Sequence, residues 1–142
     1  MTTYADSSFL VSLHLVDRHS GEGWRRMSSR PSVWLTPLNR AEIAHAVFLH
    51  VFWKKVTSID AENVLAILEK DCAAGVWREV KFPAGAFERS IDLTRRYGPT
   101  LGVRTLDSLH VACALELRAE RFWTFDERQA RLAEAVGLDT SA

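Results

Sequence analysis

Asp6, Glu42, Asp107 and Asp126 are the residues whose type and placement could do chemistry. Asp6 follows the short apolar run "TTYA", and Asp126 follows "FWTF". Glu42 lies just beyond "VWLTPLN", and Asp107 opens the apolar helical stretch Leu106 to Leu117. Singly, each acid is explained as a helix start, because Asp caps helices and an anion favours the N-terminal dipole. Four carboxylates converging on one place would repel one another and raise some of their pKa values unless a cation lay between them. The sequence does not set a matching number of Lys or Arg beside them, so the expectation is a bound cation. Hard oxygen ligands suit Mg²⁺ or Mn²⁺ rather than zinc. A cluster of that kind with little else points to metal-assisted hydrolysis, most naturally of a phosphodiester. No P-loop, G-x-S-x-G or G-x-G-x-x-G motif competes with it.

The elements that must position these acids alternate. "TTYA" (2–5) predicts a strand and "SSFLVSLHLV" an amphipathic helix. The polar segment 17–32 is expected to hold a short helix around Trp24 to Met27, before a second strand at "VWL" (33–35). Asn39 is expected to cap the next helix with Glu42 as its capping-box partner, the helix running to about Lys54. A helix over 59–74 follows, with Asp60 as cap and Gly75 as stop. "VWREVKF" (76–82) alternates like a strand, and a helix over about 84–97 is expected to end at "YGP". After the Asp107 helix come a strand at 122–125, a helix at 127–136 and an edge strand at 138–140. Strands alternating with helices imply a parallel sheet covered on both faces. In such sheets, sites form beyond the carboxyl ends of the strands, where chain direction puts all four acids.

Composition narrows the class. The 142 residues are expected to form one domain, 1–142, and 47% hydrophobic with 25% charged residues is ordinary for a soluble globular protein. Lys+Arg and Asp+Glu balance at 18 each, so no global field draws the chain to nucleic acid or anionic lipid, and an RNA surface must be a local patch. No leader or membrane span is evident, and the expected location is the cytoplasm. Cys72 and Cys113 lie far apart with no C-x-x-C spacing, which predicts buried free thiols.

The segments "YADSSFLV", "TPLNRAEIAHAV", "RTLDSLHVACAL" and "FWTFDER" resemble, in order and spacing, the four signature segments of PIN-domain ribonucleases, and more narrowly VapC-type toxins of toxin–antitoxin pairs. The resemblance implies a three-layer α/β/α sandwich with a central parallel sheet. It implies that Asp6, Glu42, Asp107 and Asp126 form an acidic quartet around Mg²⁺ or Mn²⁺, with Ser7, Ser8 and Thr124 as supporting polar residues. It also implies an endoribonuclease leaving a 3′-hydroxyl and a 5′-phosphate, a homodimer, and an antitoxin protein that blocks the site.

Other residues weigh less. Among basic pairs, "RRYGPTLGVR" runs straight to Asp107, so Arg95, Arg96 and Arg104 are the candidates for RNA phosphate contacts. Glu42-x-x-His45 and Asp107-x-x-His110 have the spacing of di-iron bundles, but the strands argue against that fold. His110, on a mostly apolar face, is expected to be a core histidine with a single hydrogen bond. The five tryptophans are expected as core and interface anchors. Two rival classes remain. One is a phospho-acceptor receiver module, for which Lys81 is the only candidate lysine. The other is a PIN-fold scaffold that binds RNA or protein without catalysis.

Overall fold

The computed structural model describes residues 1–141, so Ala142, the last position of the expected domain, lies outside the described residues. The first half runs β1 (Thr2–Ala5), α1 (Ser7–His14), α2 (Ser20–Met27), β2 (Ser32–Leu35), α3 (Pro37–Phe52) and α4 (Ser58–Ala73). The second half runs β3 (Trp77–Glu79), α5 (Ala86–Leu101), α6 (Thr105–Glu116), β4 (Arg121–Trp123) and α7 (Glu127–Ala135). The strands form one sheet in the order β3-β2-β1-β4, all parallel, with Tyr4 paired to Trp34 on one side and to Phe122 on the other.

Strand side chains alternate between two cores, as the two-residue period demands. Tyr4, Trp34 and Phe122 pack with Leu93 of α5, Val111 and Cys113 of α6 and Leu132 of α7. Ala5, Val33, Leu35 and Trp123 face the other way, onto Phe9 and Leu13 of α1, Ile43 of α3 and Leu68 of α4. This is a three-layer α/β/α sandwich. Trp34, Trp77 and Trp123 are buried anchors, whereas Trp24 and Trp53 are exposed. Cys113 is buried and Cys72 half-buried, both as free thiols. Among the described residues, no helix is long and apolar enough to cross a membrane.

Several local expectations are corrected. Thr36, not Asn39, caps α3; its side chain accepts from the Asn39 N–H while Asn39 reaches back to the Thr36 N–H. Pro37 at the first helical position favours that earlier start, since its missing N–H has no partner there anyway. Glu42 is thereby freed from capping. Thr57 caps α4, with Asp60 in the reciprocal position rather than as cap. The α5 helix runs through Tyr97, Gly98 and Pro99 to Leu101, and stops at Gly102, whose φ of 63° is the left-handed turn that glycine adopts without strain. Proline fits helical φ and removes only one hydrogen bond in this final stretch, so it did not end the helix. The segment 17–32 holds a full two-turn helix, and 138–140 contributes only a bridge between Arg121 and Asp139.

Candidate active site at the carboxyl edge of the sheet

Asp6 leaves the end of β1 and caps α1, accepting the Phe9 N–H at 3.0 Å. The Ser8 hydroxyl donates to it at 2.7 Å, and that of Thr124, just past β4, at 2.9 Å. Asp6 is only 1% exposed. Burial pushes its carboxyl above the ordinary value, although His110, Ser8, the Phe9 amide and Thr124 all pull the other way.

Glu42 projects from α3 beside α1 and α6. Its Oε1 accepts from the Ser7 hydroxyl at 2.6 Å and from Nε2 of His110 at 2.5 Å. Burial raises the Glu42 carboxyl, but these hydrogen bonds and the charge interaction with His110 outweigh it and hold it below the usual value; nearby Asp107 opposes them. His110 is buried, as expected, but it is not singly bonded: its Nδ1 lies 2.7 Å from the Tyr4 hydroxyl.

Asp107 sits in the first turn of α6 and reaches back to the Arg104 backbone N–H at 2.9 Å, a helix-start role. It is 1% exposed and also receives the Arg104 guanidinium, Nε to Oδ2 at 3.2 Å. The same guanidinium reaches Asp126 at 3.2 Å. Asp126 caps α7, accepting from the Arg128 and Gln129 amides. One basic side chain, Arg104, thus spans two of the four acids. Its pKa is itself raised, by hydrogen bonding to Asp107 first.

The four acids thus form linked pairs at one sheet edge. Thr124 joins the pairs, donating to Asp6 and accepting from the Asp126 N–H at 2.9 Å. Glu42 and Asp107 line a common cleft of about 370 Å³ with Arg104, Thr105, Leu106 and Gln129. Glu42 and Asp126 also border a larger, more apolar cleft of about 840 Å³, with Val11, Leu49 and Phe125 among its walls. With side chains so placed, no three His, Cys, Asp or Glu among the described residues converge closely enough to hold a metal ion. The donor chemistry nevertheless suits a hard cation, because Asp107 and Asp126 already share a positive charge. That charge belongs to a side chain that is 59% exposed.

Arg95 and Arg96 lie exposed on α5. Arg96 borders a separate groove with Glu88, Asp92 and Glu116, which contains none of the four acids. Tyr4 and His110 carried no functional expectation. The signal was present, since His110 stands one helical turn beyond Asp107, but its partners lie in β1 and α3.

The family described as PIN domain matches residues 3–135. No curated protein matches the chain. Among solved structures it is similar to VapC20 of Mycobacterium tuberculosis, with 18% identity, TM-score 0.71 and 98% of each chain covered. It is also similar to VapBC2 of Rickettsia felis, with 14% identity, TM-score 0.69 and coverage of 99% of this chain and 98% of that one. FitAcB of Neisseria gonorrhoeae gives 16% identity and TM-score 0.69, over 99% of this chain and 96% of that one. These identities establish a shared fold, and the family match spans nearly every element described above. The chain belongs to the PIN-domain family.

Proposed function

We propose that this chain is a divalent-cation-dependent endoribonuclease, acting as a single domain in the cytoplasm as the toxin of a toxin–antitoxin pair. The observation that carries the reading is that Asp6, Glu42, Asp107 and Asp126 stand at the carboxyl edge of a parallel sheet as linked pairs, of which Asp107 and Asp126 already bind a cationic group. Those four residues would hold Mg²⁺ or Mn²⁺. When bound, such an ion lowers the pKa of a water and offsets charge on the phosphoryl and leaving oxygens.

The chain's own residues do the rest. Ser8, Thr124 and the Phe9 amide fix the Asp6 carboxylate, and Ser7 with His110 fixes that of Glu42. The apolar cleft beside Glu42 and Asp126 gives nucleobases a surface to rest on while their phosphates face the acids. Arg104, once it leaves the acids, is the nearest cation for a phosphate oxygen. VapC20 is described as a toxin that cleaves the sarcin-ricin loop, which favours RNA as the substrate class here. An antitoxin and a second copy of the chain are the proposed protein partners. Phe52, Trp53 and Ile59, all exposed where α3 passes into α4, offer an apolar patch suited to such contacts.

The test is cleavage of RNA by the purified chain. Activity should need Mg²⁺ or Mn²⁺, stop with EDTA, respond poorly to Zn²⁺, and leave 3′-hydroxyl and 5′-phosphate ends. Cleavage that survives thorough chelation would overturn the mechanism. RNA binding without cleavage under saturating Mn²⁺ would replace it with the catalytically inactive scaffold.

A further inference from the structure

Behind Glu42 lies a chain of hydrogen bonds that runs past His110 into the core, and its inner link, at Tyr4, has no part in the catalytic reading above. Tyr4 is fully buried in the central strand, its ring stacked on Phe122 at 5.5 Å between centroids. Its hydroxyl meets Nδ1 of His110 at 2.7 Å, and Nε2 of His110 meets Oε1 of Glu42 at 2.5 Å. A carboxylate can only accept, so Nε2 must carry a proton. In the neutral ring Nδ1 is then an acceptor, and the Tyr4 hydroxyl is the donor that fits it. Burial holds the Tyr4 hydroxyl protonated, well above its ordinary pKa, and so keeps it a donor.

The arrangement is asymmetric at the carboxylate. Ser7 and His110 both donate to Oε1, and among the described residues none donates to Oε2. One oxygen of Glu42 is therefore anchored from behind while the other takes no donor from the described residues, and Glu42 lines the cleft it shares with Asp107.

We propose that Tyr4 and His110 are positioning residues for the cation site: the Tyr4 hydroxyl holds the His110 ring in place from the core side, and His110 in turn anchors Oε1 of Glu42. The proposal rests on Glu42 being a ligand. Partners behind a ligand commonly change metal affinity about 10–100-fold when removed, because they fix the ligand's orientation and basicity. Tyr4→Phe removes one oxygen and keeps the ring that packs on Phe122. Without that partner the imidazole is held at Nε2 alone, so the ring and the Glu42 carboxylate it anchors are less firmly oriented.

The experiment measures three proteins as full chains: wild type, Tyr4→Phe and Glu42→Gln. Imidazole ¹⁵N shifts of the metal-free proteins report the hydrogen bonding of the two His110 ring nitrogens, Mn²⁺ titration reports affinity, and cleavage is followed against Mn²⁺ concentration. Tyr4→Phe should move the Nδ1 resonance, which loses its partner, more than the Nε2 resonance, which keeps Glu42. Tyr4→Phe should bind Mn²⁺ on the order of tenfold more weakly, with its cleavage rate recovering as Mn²⁺ saturates. Glu42→Gln should lose affinity at least as severely. If Glu42→Gln is weakened but Tyr4→Phe keeps wild-type affinity, the positioning role is wrong and the ligand stands. If Glu42→Gln binds Mn²⁺ as tightly as wild type, Glu42 is no ligand, and the proposal falls with it.

Discussion

Asp6 and Glu42 are held by hydroxyls, an amide and an imidazole, whereas Asp107 and Asp126 share one exposed guanidinium. The hydroxyls and the amide fix the first pair in orientation without cancelling its charge. Arg104 does the reverse: it cancels charge on the second pair through a side chain that is 59% exposed. A neutral anchor cannot be displaced by a cation, because it does not compete for the same charge. An arginine competes directly. The first pair is thus preorganised, and the second is occupied by a group that another cation can replace.

The largest effect expected from breaking this arrangement is at Asp107. Asp107→Asn keeps the shape and the reach to the Arg104 backbone amide but removes the charge. Cleavage should fall by at least about 100-fold, the scale of losing one preorganised electrostatic group from an active site. Most of the Mn²⁺-induced rise in melting temperature should vanish with it, since that rise reports ion binding to the folded state. An equal Mn²⁺-induced rise in both proteins would make Asp107 a helix-start carboxylate and nothing more.

Thr124 tests whether the pairs act together. Thr124→Val keeps volume but removes a donor to Asp6 and an acceptor for the Asp126 N–H. The expected cost is about 1–2 kcal/mol, read by denaturant unfolding, because one of the lost bonds ends on a charged group. Thr124→Ser should restore most of it. Failure of Ser to rescue would assign the loss to packing of the methyl group.

How much of this was legible in the sequence depends on how local the deciding contact is. The strand and helix order and the Asp6 and Asp126 caps were legible because they rest on short-range periodicity and on one residue's reach. Glu42 was misplaced because Asn39-x-x-Glu42 and Thr36-x-x-Asn39 both satisfy capping-box spacing. Pro37 and the burial of Thr36 and Asn39 decide between them, and burial is a tertiary fact. Arg104 meets Asp107 locally, as the residue just before α6 and three positions ahead of it, whereas its reach to Asp126, 22 positions on, is a tertiary contact. The Tyr4–His110 contact joins residues 106 positions apart, so no local pattern contains it.

A third prediction follows from burial of the preorganised pair. The Asp6 carboxyl titrates above its ordinary value in the folded state, so between about pH 3.9 and the raised value the native protein binds more protons than the unfolded chain. Its stabilising contribution is therefore complete below the unfolded pKa and is lost as pH rises through the folded one. Asp6→Asn does not titrate. In EDTA, the melting temperature of Asp6→Asn relative to wild type should increase from about pH 4 to about pH 8. A flat difference would mean that Ser8, Thr124 and the Phe9 amide fully offset the cost of burying the charge.

The smallest effect, and the sharpest test of the contrast, is expected at Arg104. If its guanidinium only lends charge to Asp107 and Asp126, Arg104→Gln leaves two acids unneutralised in the metal-free protein. The variant should melt slightly lower than wild type in EDTA. With the competing cation gone, Mn²⁺ should bind more tightly, by about fivefold at most, the scale that an exposed ion pair commands. The gap between melting curves in Mn²⁺ and EDTA should widen from both ends. RNA should respond in the opposite sense, since the displaced guanidinium is the cation nearest a phosphate. KM for RNA should rise, and its dependence on salt should weaken by about one ion's worth. Tighter Mn²⁺ with weaker RNA identifies a side chain that changes partners as the site fills. Weaker Mn²⁺ binding would instead make Arg104 a fixed part of the site, and the two acid pairs would then be held alike.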